Sequence, residues 1–204
     1  MRNVGLLATR AVLGGYLSVH GAQKLLGAFD GPGLDATGAG FDALGMRPGK
    51  AMATLAGASE LGGGILTVTG IADPLGPLAI AGAMVVATAV HRTQGPMSQK
   101  GGFELPLTNL AVAIALISSG SGRLRLGPRL SKSLTGITVL AGAALTAGSV
   151  AQLLRAEPPS QAAMEATAEA TAEATAEATA EAGDRGTAEA GAEATAEAGD
   201  RGTA

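Results

Sequence analysis

The stretch AMATLAGASELGGGILTVTGI, residues 51–71, determines the class of fold that the sequence predicts. Its only ionisable side chain is Glu60, and all its other residues are apolar, small or hydroxyl-bearing. A helix that crosses a bilayer needs roughly 20 mostly apolar residues, so this stretch has the length and composition of a transmembrane helix. A soluble amphipathic helix is the alternative. It is disfavoured because the apolar residues surround the predicted helix instead of following one stripe.

Four further segments of similar character flank this stretch, at residues 4–25, 75–90, 105–119 and 134–154. Together the five segments predict an all-α fold, a polytopic membrane helical bundle. The first segment is alternatively a cleaved signal peptide. Its apolar run is longer than the roughly 7–15 residues of a signal-peptide core, and Arg10 interrupts it. We therefore predict that it remains as a helix.

The connections between these segments differ in length and chemistry. Residues 26–50 form a Gly- and Asp-rich connection, predicted here as a loop, and so long a loop is uncommon unless it is functional or disordered. The link at 72–74 is tight, the link at 91–104 is polar, and the link at 120–133 is basic. The long connection and the two polar links are therefore the places where function is expected outside the helices.

Charge is distributed very unevenly along the chain. Residues 1–156 contain twelve Lys or Arg against six Asp or Glu, whereas residues 157–204 contain two against eleven. The latter segment repeats EATA, which places like charges four residues apart, and Gly-Asp-Arg-Gly breaks interrupt it. We therefore predict that 157–204 is a low-complexity acidic Ala/Glu/Thr repeat tail, disordered or a fraying helix.

Several function classes are excluded or disfavoured by missing residues and motifs. The sequence has no Cys, which excludes disulfides, thiolate metal sites and Cys-ligated iron–sulfur clusters. It also lacks a dinucleotide-binding fingerprint and a phosphate-binding loop, so a self-sufficient enzyme is not predicted. The one dense basic cluster, at 123–132, has no aromatic residues interleaved with it. No nucleic-acid partner is therefore predicted.

Helices that cross a membrane in succession sort the polar residues to two ends of the bundle. One end, here called the loop end, receives residues 26–50 together with His20, Lys24, His91, Arg92, Lys100 and Glu104. The other, called the amino end, receives the N-terminus, the 72–74 link and the basic 123–132 link. Lys and Arg counts at the two ends are equal. The density of the basic link favours the N-terminus inside the cell.

Three ionisable residues of the first helix, Arg10, His20 and Lys24, lie on one face at helical spacing. In the second, Glu60 lies on the same face as small residues such as Gly57 and Gly64. A charged side chain at mid-bilayer costs about 2.5–3.5 kcal/mol, so such groups persist when they are paired or neutralised. The depths of Arg10 and Glu60 predict a contact between them.

Other interpretations of these residues stay open. Arg10 alternatively extends to the interface, and Glu60 is alternatively a protonated carboxyl that hydrogen-bonds within the bundle. His20, Lys24 and His91 are alternatively ordinary interfacial residues. Both histidines lack a supporting carboxylate motif, so no metal site is predicted.

Several short motifs, in this order and spacing, resemble those of DoxX-family membrane proteins over about residues 5–126. They are Arg10 with Gly14, HGAQKLLG at 20–27, ELGGGILTVTG at 60–70, AMVVATAVH at 83–91 and GSGRL at 120–124. The family's ending often has Ser-Leu-Asp after the GxGR stretch, whereas this chain has Arg-Leu-Gly at 125–127. The family's partner contacts near this ending are therefore not carried over.

The resemblance implies a four-helix membrane fold, and a fifth apolar segment and the repeat tail then depart from the family's pattern. Residues 1–126 are expected to be a DoxX-like four-helix membrane domain, residues 127–156 a basic link and fifth transmembrane helix, and 157–204 the repeat tail. Carried over to this sequence, the matching positions form the candidate polar site: Arg10, His20, Lys24, Glu60, His91 and Glu104. No catalytic residue is assigned.

Some family members are subunits associated with membrane oxidoreductases. One branch belongs to thiosulfate:quinone oxidoreductase, and other relatives are linked to a complex with superoxide dismutase and a sulfurtransferase. The resemblance therefore implies a multi-pass protein of the cell membrane that belongs to a quinone- or sulfur/oxidative-stress-linked oxidoreductase assembly. Soluble redox proteins are its expected partners beside the lipid bilayer. Quinone is its candidate cofactor, although the sequence contains no motif for one.

Two other functions compete with this one. In a small-solute transport protein, Arg10 and Glu60 would line a polar path through the bundle. In a membrane scaffold without chemistry of its own, the same charges would only determine how the helices pack.

Overall fold

The computed structural model describes residues 2–156, which contain six α-helices. They are α1 (Arg2–Leu26), α2 (Gly33–Ala43), α3 (Gly49–Thr69), α4 (Leu75–Val90), α5 (Glu104–Ser119) and α6 (Lys132–Arg155). Two short 3₁₀ turns, His91–Gln94 and Ser98–Lys100, lie between α4 and α5. The all-α prediction is confirmed over this range. The predicted repeat tail at 157–204 lies outside the described residues.

Within the described range, three helical segments are long and apolar enough to cross a membrane: Gly49–Thr69, Leu75–Gln94 and Lys132–Arg155. Helix α5 is apolar but shorter. Helix α1 has 25 residues and is not among the three; it carries Arg2, Arg10 and Lys24. The five predicted segments thus correspond to α1, α3, α4, α5 and α6, and the chain is a helical membrane protein.

Helices α1 and α3 pack backbone against backbone through glycines. A Cβ atom added to Gly14 would lie 2.6 Å from the carbonyl oxygen of Gly64. One added to Gly21 would lie 2.6 Å from the carbonyl oxygen of Gly57. Small residues allow such an approach where lipid gives no hydrophobic drive between helices. The predicted inward face of the second apolar segment is confirmed, since it is buried at Ala53, Gly57, Glu60, Gly64 and Thr67.

These glycine pairs determine the axial offset between the two antiparallel helices. Because Gly14 faces Gly64 and Gly21 faces Gly57, the last residue of α3, Thr69, lies near the level of residue 9 of α1. At about 3.6 residues per turn, the first two turns of α1 extend beyond the C-terminal end of α3. The helix ends are therefore not level.

The remaining helices build on this pair. Leu13 and Leu17 of α1 join buried residues of α4 and α5 in one core cluster, whose other members are Ile80, Met84, Ala113 and Leu116. Helix α6 packs against α4, and a Cβ atom added to Gly82 would lie 2.9 Å from Oγ1 of Thr146. Most large apolar side chains of α6 are exposed, as expected of a helix that faces lipid.

The amino end of the bundle has the composition that the sequence predicted. Near the start of α1, Oδ1 of Asn3 accepts a hydrogen bond from the backbone amide of Arg123 at 3.2 Å. The backbone amide of Ala72 donates to the carbonyl of Pro128 at 2.9 Å. The N-terminal helix, the tight link and the basic link therefore meet at one end.

The prediction of a loop over residues 26–50 is wrong in its middle part, because α2 forms there and packs against α3 and α1. Gly38 on α2 is buried so closely that an added Cβ would lie 3.0 Å from the Cα atom of Lys50. Oδ1 of Asp42 accepts the backbone N–H of Gly49 at 2.8 Å, which satisfies a free donor at the start of α3. Contacts with α3 thus stabilise a helix that its glycines disfavour locally.

Replacing Gly21 by alanine is expected to destabilise the bundle by about 1–3 kcal/mol, because the added methyl group would overpack the α1–α3 contact. Gly15 is the matched control, since a Cβ atom there meets nothing within 4 Å. Gly15→Ala should leave the protein as stable or more stable, because alanine favours helix. Thermal unfolding in detergent, followed by circular dichroism, measures both. Equal midpoints for the two variants would contradict the predicted contact.

Candidate functional site

Arg10 is buried, with 2% of its surface exposed, and its guanidinium donates to four backbone carbonyls. Nε donates to Thr67 at 2.7 Å and Nη2 to Val68 at 2.5 Å. Nη1 donates to Ser121 at 2.8 Å and to Leu124 at 2.7 Å. We call this group, Arg10 with its four carbonyl partners, the Arg10 joint.

The Arg10 joint connects α1, the last turn of α3 and the segment after α5. Carbonyls in the last turn of a helix lack intrahelical partners and carry partial negative charge, so a buried cation is favourable there. Gly70 makes room for it: its φ is +68°, and a Cβ atom there would lie 2.7 Å from Nη2 of Arg10. All the hydrogen-bond acceptors of this guanidinium are neutral backbone groups, so the joint is structural.

The predicted contact between Arg10 and Glu60 is wrong. That prediction assumed that the ends of the two helices are level. The glycine contacts instead place Arg10 at the level of Val68, about two turns from Glu60. Arg10 therefore contacts the end of α3, and Glu60 finds another partner.

Asp73 is a buried acid next to the Arg10 joint that the sequence analysis did not single out. Its side chain is 3% exposed, and Oδ2 accepts from the backbone amide of Ser121 at 3.2 Å and from Nε of Arg129 at 2.9 Å. The carbonyl oxygen of Ser121 also accepts a hydrogen bond from Arg10. In the sequence, the feature that could have identified Asp73 is its position as a lone carboxylate in the tight link between two apolar segments.

Glu60 forms an ion pair with Lys24 across the α1–α3 contact. Nζ of Lys24 lies 2.5 Å from Oε2 of Glu60, and the two side chains are 25% and 8% exposed. The lysine belongs to the last turns of α1 and its side chain extends back along the helix towards Glu60. The buried carboxylate is thus neutralised by a cation that solvent partly reaches.

His20 precedes Lys24 by one helical turn and is half-buried. Its ring meets that of Tyr16 edge-on, with 4.5 Å between the ring centroids. We call the Lys24–Glu60 pair, together with His20 one turn away on α1, the α1–α3 polar site. Its members supply N–H donors from Lys24 and His20 and a carboxylate from Glu60.

The other two predicted site residues, His91 and Glu104, make local contacts. Nδ1 of His91 lies 2.9 Å from Oε1 of Gln94. Glu104, which precedes the apolar stretch of α5, accepts the backbone amide of Ser98 at 3.1 Å, and this hydrogen bond lowers the pKa of Glu104.

The six predicted site residues thus divide into three groups. Arg10 lies in its joint, His20, Lys24 and Glu60 form the α1–α3 polar site, and His91 and Glu104 each bond within the 91–104 link. Across residues 2–156, no hydrogen bond or ion pair joins His91 or Glu104 to the Lys24–Glu60 pair. The same residues contain no cluster of three His, Asp or Glu side chains arranged to hold a metal ion.

A double-mutant cycle on Lys24 and Glu60 measures the buried ion pair. Lys24→Met is expected to destabilise the protein by about 3–5 kcal/mol, because it leaves a buried carboxylate without its cation. Glu60→Gln in the same chain should recover much of that loss.

Lys50 and Asp35 are the matched control pair, also 2.5 Å apart but exposed at the surface. Their coupling should be less than about 1 kcal/mol. Thermal or denaturant unfolding in detergent measures both cycles. Equal coupling free energies in the two pairs would show that burial contributes nothing to the Lys24–Glu60 ion pair.

Arg10→Lys is expected to destabilise the protein by about 1–3 kcal/mol or more, because one ammonium group cannot reach four carbonyls in two segments and leaves buried acceptors unsatisfied. Arg92→Lys is the control, since Arg92 makes one exposed bond to Ala89. The thermal unfolding midpoints of the Arg10→Lys and Arg92→Lys variants measure the difference in stability. Rescue of Arg10→Glu by Glu60→Arg would contradict the observed separation of these residues.

A known protein family matches the N-terminal part of the chain. The DoxX family model matches residues 5–92, from α1 to the start of the link after α4. The match includes Arg10, His20, Lys24, Glu60 and His91, and it ends before Glu104. No curated protein and no solved structure matches the chain. Residues 5–92 are therefore a DoxX domain.

Proposed function

We propose that this protein is a membrane component of an oxidoreductase assembly, and that its α1–α3 polar site binds the headgroup of a small redox-active molecule of the quinone class. The observation that carries the proposal is the Lys24–Glu60 ion pair. It is buried between two helices of the DoxX domain, yet the lysine side chain is 25% exposed. A ligand can therefore approach the pair without opening the bundle.

The need to hold the helices together does not explain this pair. Glycine contacts already join α1 to α3, and the Arg10 joint connects the end of α3 to two other segments. Ionisable groups inside a membrane domain are costly, and they are typical of ligand sites and proton paths. The pair therefore has the properties of a binding site more than those of a packing device.

The side chains present fit a quinone headgroup. Its two carbonyl oxygens accept hydrogen bonds, and both the Lys24 ammonium and the His20 ring carry N–H donors. Glu60 lies beside Lys24 and holds its ammonium group in place. A quinone, when bound, supplies two-electron and two-proton chemistry. The residues of this chain would bind its headgroup and orient it.

Partner proteins would supply the electrons, since this sequence contains neither cysteine nor a nucleotide-binding motif. In this proposal the protein lies in the cell membrane with its N-terminus inside. The dense basic residues of the amino end support that orientation. The α1–α3 polar site then lies in the outer half of the bundle, and soluble redox partners dock from outside.

Gentle purification of the full chain from its native membrane tests the proposal. We expect quinone in organic extracts of the purified protein, together with co-purifying redox proteins. Lys24→Gln should lower the quinone bound per protein about tenfold, which corresponds to the loss of one charge-assisted hydrogen bond of about 1.4 kcal/mol. Glu60→Gln should also lower it, because the Lys24 ammonium loses the carboxylate that holds it in place. The Asp35→Asn/Lys50→Gln variant removes an exposed ion pair and should retain the bound quinone.

Other outcomes identify the competing functions. Absence of both quinone and redox proteins in several mild detergents would overturn the proposal. Solute flux into liposomes that Glu60→Gln abolishes would favour a transport protein. Bound quinone that is unchanged in the Lys24 and Glu60 variants, alongside lower stability, would indicate a scaffold.

A further inference from the structure

We propose that the segment after α5, residues 120–132, binds the headgroups of anionic phospholipids at the amino end of the bundle. We call this segment the basic loop; its sequence is GSGRLRLGPRLSK. The inference does not depend on the proposed redox function, because it concerns the opposite end of the molecule from the α1–α3 polar site.

Main-chain hydrogen bonds hold the basic loop against the turn between α3 and α4. The amide of Leu126 donates to the carbonyl of Thr69 at 2.9 Å, and the amide of Leu130 donates to that of Asp73 at 3.0 Å. Between them, the amide of Ala72 donates to the carbonyl of Pro128 at 2.9 Å. Both helices joined by this turn have the length and hydropathy of membrane spans. The basic loop therefore lies at the boundary between hydrocarbon and headgroups.

The loop directs two leucine side chains away from the protein. Leu126 is 82% exposed although its backbone is bound to the end of α3, and Leu124 is 46% exposed. In water, such exposure would leave apolar surface uncovered. At the level of the membrane boundary, the same side chains can enter the acyl region, as the apolar residues of interfacial segments do.

Positive charge exceeds negative charge around these leucines in the part of the chain that the structure describes. The basic loop contains Arg123, Arg125, Arg129 and Lys132 and no acidic residue. Asp73 pairs with Arg129. Among residues 2–156, the acceptors of the Arg125 guanidinium are the neutral carbonyls of Gly122 and Gly127. Within residues 2–156, Arg123 and Lys132 form no ion pair.

Arginine and leucine meet in one open depression on this surface, lined by Arg123, Arg125, Leu126, Gly127 and Pro128. Guanidinium groups match the geometry of phosphate oxygens, and basic segments next to a membrane attract anionic lipids. A free anion would use the arginines alone. A phospholipid uses the arginines for its phosphate and the adjoining leucines for its glycerol and chain region, so the combination favours lipid.

Reconstitution of the full chain tests this assignment. The protein is placed in nanodiscs of phosphatidylcholine with a minor share of phosphatidylglycerol, extracted in mild detergent, and analysed for retained lipid by native mass spectrometry. Phosphatidylglycerol should be enriched over its share in the nanodisc. Arg123→Gln/Arg125→Gln should lower that enrichment about tenfold, since each basic residue adds to the attraction for anionic lipid.

The matched control is Arg92→Gln/Lys100→Gln, which removes two positive charges from the loop end and should keep the enrichment. Arg125 also bonds the loop to itself, so Arg123→Gln alone and Leu126→Ser serve as milder variants. Each should lower the enrichment at an unchanged unfolding midpoint.

Two results would overturn the proposal. One is retention of the two lipids in the proportions of the nanodisc. The other is displacement of the lipid by excess inorganic phosphate with no effect of Leu126→Ser, which would identify a site for free anions.

Discussion

The close contact between α1 and α3 is the constraint on which the rest of the structure depends. Gly14 faces Gly64, and Gly21 faces Gly57, with the backbones so near that no Cβ atom fits between them. Contacts of this kind occur at few relative positions of two helices, since a shift by one residue would bring side chains against backbone. The glycines therefore fix the stagger of the two helices as well as their distance.

That stagger separates two kinds of buried charge. Arg10 is carried beyond the reach of Glu60 and towards the last turn of α3, where unpaired carbonyls accept its N–H groups. Lys24 is left as the cation nearest to Glu60. One arginine therefore acts as a connector of backbone segments, and the lysine and glutamate form a separate polar site. In a different stagger the same residues would make different pairs.

Much of the fold was predictable because it depends on local composition. The apolar segments, the inward face at Gly57 and Glu60, and the sorting of polar links to the two ends all follow from the order of residues along the chain. The Arg10–Glu60 prediction failed because it needed the stagger, which depends on which backbones touch. Helix α2 was missed for a related reason: its Gly-rich sequence has a low helix propensity, and the contacts with α3 that favour the helix are not visible in the sequence.

The helix faces on which the candidate site residues lie were predictable, but the way these residues group was not. His20, Lys24 and Glu60 were recognisable as ionisable residues on inward faces, and the DoxX motifs marked the same positions. Their separation from His91 and Glu104 depends on the course of the 91–104 link, whose 3₁₀ turns have no strong sequence signature. Asp73 was overlooked because a short link gave no reason to expect a partner as distant in sequence as Arg129.

The choice of carbonyl oxygens as partners of Arg10 affects how the protein responds to its surroundings. Backbone carbonyls neither gain nor lose protons, and an arginine stays charged throughout the range of conditions that cells meet. Burial also protects the contact from dissolved ions, which weaken exposed charge pairs much more. The Arg10 joint should therefore keep its geometry through acid or salt shocks that alter carboxylate pairs such as the neighbouring Asp73–Arg129. A membrane protein built in this way joins three of its segments through a contact that is insensitive to the medium.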